Sequence, residues 1–417
     1  MKFSMNRRDA LKAGAIAAMM AAIGGGVYFY GSKSHEGGGV SATQPFQPLP
    51  SSKASYVILP KDGGFEVFNT ISDSKEFEST DASSAIQYAI NKLSVTGGEV
   101  VLKRGVYTLT KTITLSSHVS LIGENGSDLV VVTNSDGVVI PENSQFVRLS
   151  GFKIHGAGPI TQGALIRVKN HVYQIAISDI EAHDYYDGIV IEGAYPPGDN
   201  WGIFMERVHV YNSLHDGLAI VGYGNTYFIN EVIIAESSNN CITLRDTADG
   251  VMAFENVHCF DSVNYSLHAY NTDGRLVQHK RFIAVNFEGL STHPKSVRIE
   301  NCMNIEFLDV EVAGMANNGI ELVNCSDSRI IGGRIINNSL GSPGEYAGVY
   351  LENSSEIIVE GNSIYDTNMP GSKTQGYGII EAGSSNFNVI TGNVLRGNSI
   401  APYKLTGSND VINANIT

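Results

Sequence analysis

Two short segments hold the densest grouping of catalytic-type side chains in the chain, His183-Asp184-Tyr185-Tyr186-Asp187-Gly188 and His215-Asp216-Gly217. Each sets carboxylates beside an imidazole, the groups that most often move protons in enzymes. If Asp187 and Asp216 take equivalent places in adjacent structural repeats, their carboxylates lie about 5 Å apart, a separation suited to paired-carboxylate cleavage of a glycosidic bond. One of the two can then stay protonated as general acid because its neighbour is charged. Asp184 and His215 complete the catalytic-type set. The same positions also have a structural reading: Asp or Asn before Gly is ordinary turn chemistry, and Asn240 and Asn318 hold the same place. A different reaction, proton abstraction at C5 of a uronate, needs a base and a cation on the carboxylate. His215, His268 and Tyr270 are the candidate bases, and Arg245, Arg298 and Lys280 the candidate cations.

These residues sit inside a recurring mark: a polar residue, a small one, then two branched aliphatics separated by a variable position. It appears as Asp187-Gly188-Ile189-Val190-Ile191, Asp216-Gly217-Leu218-Ala219-Ile220, Asn240-Cys241-Ile242-Thr243-Leu244, Asn318-Gly319-Ile320-Glu321-Leu322 and Gly348-Val349-Tyr350-Leu351. The spacing of roughly 20 to 30 residues is that of solenoid coils. Each coil supplies short strands whose inward residues stack on those of the next coil about 4.8 Å away. The aliphatic columns beginning Ile189, Leu218, Ile242 and Ile191, Ile220, Leu244 are expected to fill the interior. The outward face of that strand stack then carries Glu192, Arg245, His268, Tyr270, Arg298 and Glu300, flanked by His183, Asp184, Asp187, His215 and Asp216. Trp201, Tyr185, Tyr186 and Tyr195 could stack on the apolar faces of sugar rings. His183, Glu192, Trp201, Arg245, His268, Tyr270 and Arg298 are therefore the expected substrate-binding set. Asn301, Asn324 and Asn353 read as an asparagine ladder at a corner.

Ahead of the coils the organisation changes. Asn6-Arg7-Arg8-Asp9-Ala10-Leu11-Lys12 precedes an apolar run from Ala13 to Tyr30, the pattern of a twin-arginine export signal or a membrane anchor, so residues 1–30 are assigned to targeting. The chain is then expected outside the cell or at its surface, released or tethered. Residues 31–55, with Gly37-Gly38-Gly39 and three prolines, form a flexible linker. In the domain spanning 56–417, Asp81 can cap a helix with Ala85, Ile86, Ala89, Ile90 and Leu93 on one face. From Val100 the period switches to two, as strands require. A single amphipathic helix ahead of a strand stack can cover the open end of a solenoid. The thinning of the pattern after Gly407 points to self-association through the C-terminal end.

The run Asp81-Ala82-Ser83-Ser84-Ala85-Ile86-Gln87-Tyr88-Ala89-Ile90, with Gly97-Gly98-Glu99-Val100-Val101-Leu102, Gly105-Val106-Tyr107 and Val119-Ser120-Leu121-Ile122-Gly123-Glu124, resembles the opening of the pectate lyase superfamily. Within it, the resemblance is to the rhamnogalacturonase/epimerase-like group that includes many phage tailspikes. The resemblance implies an all-β fold, a single right-handed parallel β-helix, and a polysaccharide as partner. The Asn-Xaa-Asp, Asp-Asp and Gly-His-Gly set of polygalacturonases, the Arg-Xaa-Pro-Xaa-Xaa-Arg signature of pectate lyases and the Asp-Pro-His motif of alginate epimerases are all missing from this sequence.

Composition narrows the partners. A net charge of −14 with no basic stripe argues against nucleic acid. Metal-ligand spacing is absent, so no metal is assigned. Calcium is the one ion left open, because backbone carbonyls and scattered acids bind it without a motif. The four cysteines are too few for a disulfide scaffold and read as buried thiols. The expectation is a carbohydrate-active protein, with hydrolysis by the paired aspartates ahead of a lyase or epimerase, and a non-catalytic surface or adhesion module as the rival.

Overall fold

The computed structural model describes residues 55–194, 200–247, 250–271, 280–290 and 293–417. The targeting segment, the linker up to residue 54, Tyr195 and Pro196-Pro197-Gly198 lie outside the described residues. Among the described residues no helix is long and apolar enough to cross a membrane.

Strands Tyr56–Lys61, Gly64–Asn69 and Ser74–Ser79 pair antiparallel at the start. Helix Ala82–Leu93 follows, its first turn closed by the Asp81 carboxylate, which accepts from Ser84 N at 3.0 Å. Ala85, Ile86, Ala89, Ile90 and Leu93 are buried, as a 3.6-residue period demands. The Gln87 side chain donates to Thr114 O at 3.0 Å and accepts from Thr114 N at 2.9 Å. It thereby pairs backbone groups of the outermost strand of a sheet, which would otherwise be open.

From Gly98 onward the described strands pair in parallel and wind between two sheets, one of 24 strands and one of 12. This is an all-β parallel β-helix with almost no helical residues. The larger sheet bends once per coil at a single left-handed residue: Asp179 (φ 56°), Arg207 (φ 52°), Glu231 (φ 54°), Asn256 (φ 52°), Ala284 (φ 50°) and Asp309 (φ 53°), then Gly332, Gly361 and Gly392. No β-branched residue occupies that column, which is what the steric cost of positive φ requires.

The 12-stranded sheet keeps the expected register. Ile189, Leu218, Ile242, Leu267, Val297, Ile320, Val349 and Ile379 form one inward column. Ile191, Ile220, Leu244, Ala269, Ile299, Leu322 and Leu351 form the next, with Ala269 filling the coil that lacks a branched aliphatic. All of these residues are buried. The asparagine ladder is present and longer than expected: Asn353 donates to Asn324, Asn324 to Asn301, Asn301 to Asn271 and Asn271 to Asp246, at 3.0 to 3.3 Å. All four cysteines are free and buried. The neighbouring Cys302, together with burial, holds the Cys325 thiol well above its usual range.

Candidate functional site

Strand alternation turns the inward columns into two outward ones. The first runs Arg167, Val190, Ala219, Thr243, His268, Arg298, and the second Glu192, Val221, Arg245, Tyr270, Glu300. Three successive members of the first column, Val190, Ala219 and Thr243, are small, whereas Arg167 and His268 on either side are long. The consequence is a trough of about 510 Å³ along the outer face of the 12-stranded sheet. Asp187, Glu192, His215, Asp216, Arg245, His268 and Tyr270 line it, so the fold brings these seven expected residues together.

The aspartates meet at the trough's edge. Asp187 Oδ1 accepts from Asp216 N at 3.2 Å and lies 2.8 Å from His215 Nδ1, and Asp216 Oδ2 is 3.8 Å from the same nitrogen. One oxygen of each carboxylate and the ring nitrogen lie within 4.8 Å of one another. Asp216 is only 4% exposed. Burial raises its pKa and the nearby Asp187 charge adds to this, against the lowering effects of His215, Thr243 and the Asn240 amide. The hydrogen bond to Asp187 raises the His215 pKa, which favours imidazolium. Tyr186 stacks on His215 at 5.1 Å and fixes its plane.

The remaining trough residues differ in how firmly they are tied. Glu192 is held by Arg167 at 2.6 Å and by Lys169 at 2.9 Å. Among the described residues the carboxylate nearest Arg245 is that of Asp246, at 3.9 Å, and the guanidinium is exposed. Burial lowers the His268 pKa, which disfavours imidazolium, and Tyr265 and Tyr270 lie against its ring.

Four expected residues lie elsewhere. His183 and Asp184 belong to strand Tyr173–Tyr185 of the larger sheet, on the far side of the Tyr185 corner from the trough. Trp201 is also on the larger sheet, stacked on Tyr173 at 5.0 Å. Arg298 shares the outward column but is locked to Glu300 and Glu321 and does not line the trough. Tyr185 is fully buried, and Lys280 is buried on the larger sheet, which removes both from any open groove.

The sequence reading missed Arg167, Asn239 and Asn264. Asn264 donates to Asn239 Oδ1 at 3.3 Å, and Asn239 donates to Asp216 Oδ1 at 2.8 Å, an amide relay that orients the buried carboxylate. Arg167 had a signal, since Ala164-Leu165-Ile166-Arg167-Val168 has the same aliphatic spacing without the polar residue in front. Two groups of side chains also come close enough to share a metal ion, Asp187-His215-Asp216 and His155-His183-Asp184, each with its ligand atoms within 4.8 Å of one another. Both are assembled from neighbouring coils, so no local spacing reveals them.

Comparison with known proteins agrees with this architecture. Residues 248–416 match the family model for the right-handed β-helix region. No curated protein matches the chain. Among solved structures, the A-module of the mannuronan C-5 epimerase AlgE4 from Azotobacter vinelandii is similar, at 15% identity and a TM-score of 0.61, over 80% of this chain and 96% of that one. The enzymatically active domain of bacteriophage CBA120 tailspike protein 2 is similar at 14% identity and a TM-score of 0.54, over 82% and 51%. The Dettilon tailspike protein is similar at 16% identity and a TM-score of 0.53, over 79% and 66%. At such identities the likeness is one of fold, and it accords with the resemblance to the pectate lyase superfamily.

Proposed function

We propose that the protein cleaves glycosidic bonds of a polysaccharide lying along the trough, with Asp216 as general acid and Asp187 as its partner carboxylate. The observation that carries this reading is the buried Asp216 carboxyl, pushed towards its protonated form and set beside a second carboxylate. Asp216 gives its proton to the glycosidic oxygen as the bond from that oxygen to the anomeric carbon breaks. Asp187 forms a bond to that carbon. Asp216 then takes a proton from water, whose oxygen displaces Asp187 and restores both groups. The short spacing of the pair suits this double displacement better than direct attack by an intervening water. Arg167, Arg245 and the Asn239-Asn264 relay supply hydrogen bonds, and Tyr270 offers an aromatic surface.

Incubation with neutral and acidic polysaccharides tests the reading. New reducing ends without ultraviolet-absorbing products are expected. Activity should fall as pH rises through the Asp216 pKa, which burial raises from its ordinary value.

A second reading rests on His268 and Arg245, a neutral base and an exposed cation in one trough. Together they suit proton abstraction from a uronate whose carboxylate meets Arg245, and the epimerase similar in fold acts, by its name, on mannuronan. Unsaturated products, or changed stereochemistry without cleavage, would favour it. Its acid limb would follow the His268 pKa, which burial lowers, with activity lost as pH falls through it. Absence of either product class favours the non-catalytic surface module.

On the same reading, helix Ala82–Leu93 caps the first coil, and the twin-arginine-like segment carries the chain out of the cytoplasm, released or tethered. Self-association would use the last coil, where Val411, Ile412 and Ile416 are exposed. Sedimentation of the protein and fractionation of the producing cells test these points.

A further inference from the structure

We propose that His155, His183 and Asp184 bind a divalent transition-metal ion at a corner of the larger sheet, apart from the trough. Strand Lys153–Gly156 pairs with strand Tyr173–Tyr185 so that His155 lies opposite His183. The two rings stack at 4.9 Å with planes 2° apart, and Tyr211 covers the other face of His183 at 4.6 Å.

Three of the four ring nitrogens lie 2.7 to 3.3 Å from an acceptor oxygen. His155 Nδ1 is 3.2 Å from Gly156 O, and its Nε2 is 3.3 Å from Asp128 Oδ1. His183 Nδ1 is 2.7 Å from Asp184 Oδ2, and its Nε2 is 4.0 Å from Glu181 Oε1. A neutral imidazole carries one N–H, so one edge of His155 faces an acceptor with no proton between them, and His183 is left with an unpaired Nε2. The deficit is visible among the described residues. His183 is 8% exposed and its Nε2 is buried without a hydrogen-bond partner, and Asp128 Oδ1 is likewise unpartnered. An orphaned polar group of this kind calls for an explanation in a missing proton, water or ion.

Two remedies exist. Both rings can take a second proton, which places two imidazolium charges face to face in a stack. Alternatively, a metal ion occupies the Nδ1 edge, and each ring keeps its proton on Nε2, where His155 donates to Asp128 and His183 points its N–H at Glu181. The second remedy gives Asp128 Oδ1 a donor and turns the buried His183 N–H towards the Glu181 carboxylate, 4.0 Å away. It also reproduces the outer-shell carboxylates to which metal-bound histidines donate.

The three side chains already bring ligand atoms together. One nitrogen of each histidine and one Asp184 oxygen lie within 4.8 Å of one another, and Gly156 O adjoins His155 Nδ1. Asn212 Nδ2 holds Asp184 Oδ1 at 2.8 Å, leaving Oδ2 directed at His183. The positive charge already present, Lys153 paired with Glu181 at 3.4 Å, belongs to the other edge. Ligation asks the stacked rings to tilt towards each other at the Nδ1 edge. Two imidazoles with one carboxylate suit zinc, cobalt or nickel rather than calcium. The ion would tie adjacent coils to the corner that leads into the Asp187 strand.

Chelator-stripped full-length protein titrated with zinc chloride in a calorimeter, and with cobalt chloride by visible absorption, tests the proposal. One strong site with a nitrogen-ligand cobalt spectrum is expected at neutral pH. His155→Gln and His183→Gln should each lose it, Asp128→Asn should weaken it by about tenfold or more, and His215→Gln should retain it. Zinc should raise the unfolding temperature of the wild type and leave the glutamine variants unchanged. Should those variants lose their cooperative unfolding, Asp184→Asn, at an exposed position, decides the same question. Binding that survives in the His155→Gln, His183→Gln double variant, binding that disappears with His215→Gln, or no binding by the wild type would each overturn the proposal.

Discussion

The outward face of the 12-stranded sheet contains two regions built on one pattern, and they differ at the corner residue and at the outward residue three positions on. In the coils of Asn240 and Asn318, the corner amide donates to the outward residue three positions on: Asn240 to Thr243 at 2.9 Å and Asn318 to Glu321 at 3.0 Å. In the coils of Asp187 and Asp216 that third residue is Val190 or Ala219, which has nothing to offer a carboxylate. Further along, Arg298 joins Glu300 and Glu321, so the later coils close their polar groups upon themselves. The earlier coils leave theirs turned to a trough. A corner Asp or Asn before Gly is thus turn chemistry where a partner lies three residues on, and available for other work where that partner is apolar.

The largest effect should come from removing the acid in the open region. Asp216→Asn is expected to lower turnover of a cleaved polysaccharide by about a thousandfold, the scale of general acid catalysis. Its unfolding free energy at neutral pH should stay the same or rise by up to about 1 kcal/mol, because an amide is cheaper to bury than a carboxylate. The sign follows from the raised folded pKa: burying the charged form weakens the fold as pH rises through that range, and the amide abolishes this dependence. Full activity in an Asp187→Asn, Asp216→Asn double variant would remove the site. Copying the closed region into the open one, as Asp216→Asn with Ala219→Glu, should give a folded and inactive protein.

In the closed region the balance reverses. Arg298→Met leaves the Glu321 carboxylate, 7% exposed, without its cation and should cost about 3 kcal/mol of stability in denaturant unfolding. Arg245→Met, in the open region, should leave stability within about 0.5 kcal/mol. If a uronate polymer is the substrate, it should weaken binding by about tenfold, the scale of one lost charged hydrogen bond. A neutral substrate would respond less, which separates the two functional readings. The smallest effect is expected from Asn324→Ala, which interrupts the exposed ladder and should cost about 1 kcal/mol.

Much of this was legible in the sequence because strand periodicity is local. Alternation at every second residue fixes which side chains face in, and the recurring mark fixes where each coil starts. The inward columns, the outward Glu192, Arg245, His268 and Tyr270, and the asparagine ladder followed from those two facts. The grouping of His183 and Asp184 with Asp187 did not hold. Three residues of separation in sequence hide a corner, and the chain passes from one sheet to the other between Asp184 (φ 57°) and Asp187.

The fold class, the register and the direction of each strand side chain were thus set by sequence alone, through interactions among near neighbours. Tertiary structure decided which neighbours from different coils meet: the Asn264-Asn239-Asp216 relay, the small floor of Val190, Ala219 and Thr243 between longer side chains, and the stacked His155 and His183. Those contacts join residues 23 to 29 apart, depending on the coil. Coil length varies with every insertion at a corner, so only the completed stack fixes which residue lies above which.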